Sequence, residues 1–208
     1  MESYLRGVVS KLPQRPKQLL IISAHWEEKR PTVLSGAAHP LLYDYYGFPE
    51  SSYELKWPAA GAPDLAKRVA ELLNNAGIAS GFDAKRGLDH GVFIPMLVAQ
   101  PDASIPTTQL SLVAGLDPEA HIRMGAALAP LRDEGVFIIA SGMSFHNMGA
   151  LMGASQSSRG KSDGAAAPQT SACFPPPDLL LTWPCRRRSS SGGLQSLADR
   201  IADCGVAS

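Results

Sequence analysis

Two short stretches, QLLIIS at 18–23 and VFIIAS at 136–141, are apolar at almost every position. A strand reads this way when both of its faces are covered, because a half-solvated strand alternates apolar with polar residues. Each stretch is therefore predicted as a buried strand, and segments of helical period lie between them. LAKRVAELLNNAG at 65–77 puts Leu65, Val69, Leu72 and Leu73 on one stripe and stops at Gly77, with Asp64 after Pro63 as its expected cap. DPEAHIRMGAALAPLRDEG at 117–135 reads as a second helix, capped by Asp117 with Pro118 at its first position. Residues 32–35 and 108–113 read as further strands, and GVFIPMLVAQ at 91–100 as a short apolar helix. The Pro-, Gly- and Tyr-rich stretch at 38–63 reads as a loop, with an edge strand at 53–57. Strand alternating with helix implies an α/β fold, a single domain with a central mixed or parallel sheet flanked by helices.

The character changes near residue 155. Residues 1–155 carry this α/β pattern, whereas 156–208 are rich in Ser, Gly, Ala and Pro and show no sustained period apart from a helical stretch near 194–205. With Pro175, Pro176 and Pro177, the Arg186, Arg187 and Arg188 run and three consecutive serines, the tail reads as low-complexity and disordered, or as an altered frame. The 19 basic residues balance the 19 acidic ones, which argues against a nucleic-acid footprint or an anionic-membrane patch. No apolar run approaches the roughly 20 residues of a membrane helix. The N-terminal stretch is too polar for a secretory signal. The three cysteines, Cys173, Cys185 and Cys204, have no metal-ligand spacing, and the expectation is a cytoplasmic protein without disulfides. The oligomeric state is open.

Chemistry concentrates in the histidines, His25, His39, His90, His121 and His146. His121, beside Glu119 and Arg123 on a helix, reads as a surface residue. His25 and His146 each follow a buried strand, and His90 precedes an apolar helix. Ligands of open α/β sheets bind beyond the carboxyl ends of strands, so these three are placed where a metal or a general base would be useful. Taken singly, each is more often a hydrogen-bonded structural histidine than a ligand, and no two stand at a short ligand interval. Ser23 and Ser144 lack the G-x-S-x-G elbow of a hydrolase, and no Gly-rich phosphate loop follows the first strand. The residues alone reach a soluble α/β domain and no further.

ISAHWE at 22–27, YDYYGFPESSYELKWPAAGAPDLAKRV at 43–69, RGLDHGVFIPM at 86–96, IPTTQLSL at 105–112 and LRDEGVFIIASGMSFHN at 131–147 together resemble the LigB-like class III extradiol ring-cleavage dioxygenases, in the 4,5-DOPA dioxygenase branch. The resemblance covers about residues 15–155. It implies a LigB-like fold and a non-haem Fe(II) enzyme, with Zn(II) in the site of some relatives. Its reaction would be cleavage of a catechol by O2 beside its two hydroxyls to give a semialdehyde, which for DOPA cyclises to betalamic acid, the chromophore of betalains. It implies His25 as a metal ligand and His146 as either the acid/base or a further ligand. It implies His90 as a catalytic residue near oxygen and substrate. Tyr43, Asp44 and Phe48, with Gly47 and Pro49, match the loop that shapes the substrate pocket. His39 matches no ligand position.

Two motifs of the family have no counterpart here. Relatives begin with a strand and a His-Gly-Ser/Thr-Pro motif whose histidine binds metal, and they end with a segment supplying a further ligand. This sequence starts at what resembles the segment just after the first motif, and holds no histidine after Met152. Two ligands hold iron less well than three or four. The expectation is thus divided between a working extradiol dioxygenase and a catalytically inactive member that binds a catechol or a partner protein.

Overall fold

The computed structural model describes residues 2–143, and all of them lie in one compact unit. His146 and the tail at 156–208 fall outside the described residues. Among the described residues four α-helices and seven strands follow one another: α1 (Glu2–Val8), β1 (Gln18–Glu28), β2 (Thr32–Leu34), β3 (Leu41–Leu42), α2 (Pro63–Asn75), β4 (Gly81–Asp83), β5 (Leu88–Asp89), α3 (His90–Ala99), β6 (Thr107–Val113), α4 (Pro118–Leu128) and β7 (Val136–Ser141). Short 3₁₀ turns occupy Glu50–Tyr53 and Ala129–Arg132. No helix among the described residues is long and apolar enough to cross a membrane.

The main sheet has the order β4-β2-β6-β1-β7. β1 runs parallel to both neighbours, Leu19 opposite Thr107 on one side and Phe137 on the other. β2 is antiparallel to β6 and parallel to β4, so the sheet is mixed. Successive residues of a strand point to opposite faces, and β1 is apolar on both. Leu19 and Ile21 pack with Trp57, Val92, Phe93 and Met96 under α3, which itself lies against α1. Leu20 packs with Leu110 and Val136 beneath Leu65, Val69 and Leu73 of α2 and Met124 and Leu128 of α4. Helices therefore cover both faces of one sheet, which is why its central strands read as unbroken apolar runs.

Several local expectations are corrected. α2 begins at Pro63 with Ala62 as its N-cap; Asp64 lies inside the first turn and pairs with Lys67 instead of capping. By contrast, the Asp117 carboxylate does accept the Ala120 N–H at 3.0 Å, as a cap should. No strand forms at 53–57. There the Leu55 carbonyl accepts the Tyr43 hydroxyl and the Trp57 indole N–H reaches the Gln100 carbonyl, so long side-chain bonds replace a ladder. His121 is not a free surface residue. It is half-buried, with one ring nitrogen accepting the Val113 N–H and the other meeting the Asp117 carbonyl, and it ties the end of β6 to the start of α4.

β1 is longer than its apolar run. Its pairing with β7 ends at Ser23 opposite Ser141, yet it rejoins β6 at Glu27 opposite Leu112. Between the pairs Ile22–Leu110 and Glu27–Leu112, β1 advances five residues while β6 advances two. The extra residues bulge out of the ladder, and His25 is on that bulge.

Candidate metal centre

The bulge holds His25 between two buried anchors. Ser23 is fully buried, and its hydroxyl oxygen accepts the His25 backbone N–H at 3.1 Å. Trp26 is buried on the other side, with its indole N–H donating to Glu28 at 2.9 Å and the Arg86 guanidinium stacked 4.9 Å above its ring. The His25 imidazole itself faces solvent.

The second histidine arrives from a different part of the chain. β3 and β5 form a small parallel pair, Leu41 opposite Leu88 and Leu42 opposite Asp89. That pair sets two departures side by side: the loop leaving β3 carries Tyr43, Asp44 and Tyr45, and α3 leaves β5 with His90 as its first residue. Asp89, the N-cap residue, makes no side-chain cap bond. Its fully buried carboxylate turns inward, where Oδ2 accepts from the Gln109 amide at 2.5 Å and from Arg86 at 3.2 Å. The Arg86 backbone N–H and that of Lys85 are held in turn by Asp83.

His25, Asp44 and His90 meet at the open mouth between these elements. One potential ligand atom from each lies within 4.8 Å of the others. The two imidazole rings stand 4.0 Å apart, tilted by 47°. Asp44 Oδ1 accepts the His90 backbone N–H at 3.0 Å and contacts the ring Nδ1 at 2.7 Å. Burial pushes the Asp44 carboxyl up, but the His90 backbone and ring hydrogen bonds and the nearby imidazole charge outweigh it, so the group sits below its ordinary value and stays ionised. Gly91 makes the approach possible, since a Cβ there would lie 2.3 Å from Ser23 Oγ and 3.0 Å from His25 Cδ2.

An aromatic wall adjoins the group. The Tyr45 ring meets His90 edge-on at 5.7 Å and Phe48 at 5.4 Å, and its hydroxyl donates to the Ser52 carbonyl. Burial, first, and the neighbouring Tyr43, Tyr53 and Asp44 raise the Tyr45 phenol, which keeps it a donor. Tyr43 packs edge-on against Phe93 at 5.5 Å, and Phe48 is 55% exposed at the rim. His39 lies apart, with its Nδ1 at the Arg86 carbonyl.

Two imidazoles beside a carboxylate, with His25 and Asp44 exposed, offer donors that suit non-haem Fe(II) with positions left for substrate, and imidazole suits zinc equally, although Asp44 Oδ1 is itself engaged by His90. Of the residues singled out by sequence, the structure brings together His25, His90 and Asp44, with Tyr43 and Phe48 in the wall beside them, while His146 is outside the described residues. Ser23, Tyr45, Arg86, Asp89, Gly91 and Gln109 support the group without having been marked by the sequence. Their roles depend on contacts between distant parts of the chain, Gly91 against Ser23, Arg86 against Trp26 and Gln109 against Asp89, and only the apolar-strand context of Ser23 hinted at burial.

Comparison with known proteins bears on the same residues. The profile of LigB, the catalytic subunit of an aromatic ring-opening dioxygenase, matches residues 3–165. The chain is 49% identical over 142 residues to the dioxygenase tasH of Hapsidospora irregularis, covering 67% of this chain and 44% of that protein. It is 45% identical over 147 residues to the 4,5-DOPA dioxygenase extradiol of Beta vulgaris, covering 70% of this chain and 54% of that one. The crystal structure of an uncharacterized protein from Escherichia coli K12 superposes with a TM-score of 0.58 at 35% identity, covering 71% of this chain and 54% of that chain. The chain spans about half the length of the curated relatives it matches.

Proposed function

Because the chain belongs to the family of LigB, the catalytic subunit of aromatic ring-opening dioxygenases, we propose that it carries out extradiol cleavage of a catechol at a non-haem metal held by His25 and its neighbours. The convergence of His25, Asp44 and His90 within 4.8 Å is the observation that carries this reading. In the reaction a ring C–C bond beside one hydroxyl-bearing carbon breaks, both atoms of O2 enter the product, and a semialdehyde results.

His25 supplies an imidazole from a strand bulge whose backbone is pinned at Ser23. His90 supplies a second imidazole from a helix N-terminus, close enough to serve as a ligand or to take the catechol proton. An iron(II) in this donor set, when bound, supplies a Lewis acid for the two catechol oxygens and a reductant for O2. The rings of Tyr45 and Phe48 offer one aromatic face beside the group for a planar substrate. His146, from a sequence that matches the family beyond the described residues, is the further ligand or acid/base of this reading. A DOPA-like catechol is the substrate favoured by the likeness to 4,5-DOPA dioxygenases, with Fe(II) ahead of Zn(II) and the cytoplasm as the compartment.

The test is oxygen uptake by the full chain loaded anaerobically with Fe(II) and mixed with DOPA. Stoichiometric uptake with a yellow semialdehyde, lost in His25→Ala, is expected. Iron and catechol binding without uptake would refute catalysis and leave a binding protein.

A further inference from the structure

We infer that Asp44 is the positioning residue of His90, fixing which ring nitrogen of His90 is presented to the site, rather than a residue that contacts substrate. The inference deepens the reading above by saying which atom of His90 does the work, but the geometry behind it needs neither metal nor catechol.

Three observations converge on it. A single oxygen, Oδ1, takes two bonds from one residue, the backbone N–H of His90 at 3.0 Å and its ring at 2.7 Å. A carboxylate only accepts, so ring Nδ1 carries a proton, and in the neutral ring Nε2 is left with the lone pair. Second, the helix start lacks a local cap, because the N-cap side chain of Asp89 is committed inward to Gln109 and Arg86. Asp44, 46 residues away, takes the capping role across space, and its negative charge sits where the helix dipole favours it. Third, Asp44 is itself held. Its backbone N–H donates to the Leu42 carbonyl at 3.0 Å, and it stands between two tyrosines whose hydroxyls are tied to the Leu55 and Ser52 carbonyls.

The chemical consequence follows. A free histidine side chain prefers its proton on Nε2, which would leave Nδ1, the nitrogen that meets Asp44, with the lone pair. With Nδ1–H fixed on Asp44, Nε2 is the basic atom, able to hold a metal or to accept the proton of a catechol hydroxyl. When it accepts, the proton moves from the substrate oxygen to Nε2, Nδ1–H stays where it was, and Asp44 remains ionised beside the resulting cation.

The test is two-bond ¹H–¹⁵N correlation spectra of the metal-free full chain with labelled histidines, in mildly alkaline buffer. The His90 signals are assigned by their loss in His90→Gln. His121, whose Nδ1 meets the Asp117 carbonyl, is the internal standard for an intact fold. The expected result is an Nδ1–H tautomer for His90 in the native chain, converted to the Nε2–H form in Asp44→Ala. Asp44→Asn, equal in shape, is recorded alongside, and its amide N–H, able to donate to a bare Nδ1, is expected to give the same conversion. An Nε2–H ring in the native chain, or an Nδ1–H ring persisting in both variants, would overturn the inference. Neither result depends on oxygen uptake, so failure of catalysis and failure of this assignment are separately visible.

Discussion

The rings of His25 and His90 stand 4.0 Å apart although 65 positions separate them, one on a strand bulge and the other at a helix start. Two imidazoles so close, beside a carboxylate, bring potential ligand atoms from three residues within 4.8 Å of one another. We expect the metal-free chain to bind Co(II) or Zn(II) at this group. His25→Ala should weaken binding by more than the roughly 10–100-fold that loss of an outer-shell partner costs. Competition with a chromophoric chelator measures it, and unchanged affinity in both His25→Ala and His90→Ala would place the metal elsewhere.

Gly91 and Gly125 make a matched pair. Both are inside helices, where replacing glycine by alanine ordinarily gains about 0.5–1 kcal/mol. At Gly125 of α4 a Cβ meets nothing within 4 Å, so Gly125→Ala should show that gain. At Gly91 the Cβ would meet Ser23 Oγ at 2.3 Å, His25 Cδ2 at 3.0 Å and Asp89 Oδ1 at 3.1 Å. Gly91→Ala should therefore cost about 1–3 kcal/mol and loosen metal binding by shifting His25. Denaturant melts of the two variants, run side by side, decide it; a stabilised Gly91→Ala would mean that the bulge and the helix start are not packed as described.

The main architecture is legible in the sequence because its causes are local. The apolar runs around Leu20 and Ile138 need cover on both faces, and the 3.6-residue stripe of Leu65, Val69 and Leu73 supplies some of it. The extension of β1 past His25 is not legible, since it pairs with β6 alone and only Trp26 in it is apolar and buried. The missing strand at 53–57 has a similar origin: whether Leu55 joins a ladder depends on a tyrosine twelve residues earlier claiming its carbonyl. The histidines are visible as candidates, but their meeting is a product of β3 pairing with β5, two strands of two residues each that no periodicity marks. His90 is visible from its place before an apolar helix and Asp44 only through resemblance to a family; the hydrogen bonds between them cannot be read from spacing.

Asp83 should make the turn before β5 acid-sensitive. Its Oδ1 accepts the backbone N–H groups of Lys85 at 2.7 Å and Arg86 at 2.9 Å. The Arg86 bond first, then that of Lys85, hold its carboxyl below the usual range despite some burial. A carboxyl lowered in the folded state adds stability above its unfolded value of roughly 4, and that stability drains as pH falls from there through the folded value. Asp83→Asn should therefore be less stable than the native chain at neutral pH, with the gap closing below about pH 4. Urea melts across that range test it, and a gap independent of pH would show that the carboxylate charge contributes nothing there.

Behind the candidate centre, Asp89 and Gln109 form a buried pair whose energetics should be strongly coupled. Both side chains are fully buried, Asp89 Oδ2 receives the Gln109 amide at 2.5 Å, and Asp89 Oδ1 and Gln109 Oε1 have no hydrogen-bond partner among the described residues. Gln109→Leu would leave the carboxylate with only the Arg86 bond at 3.2 Å, at a cost of about 1–3 kcal/mol or more for a charged group left short of donors. Asp89→Leu would strand the Gln109 amide and the Arg86 guanidinium instead. Replacing both by leucine removes the need for the bond between them and leaves only Arg86 without its partner, so the double variant should be less destabilised than the sum of the singles, by about 0.5–3 kcal/mol. A double-mutant cycle in denaturant gives that coupling directly. Additive losses would mean that the two side chains are each satisfied by other groups, and that the corner presenting His90 is held by the backbone of β5 alone.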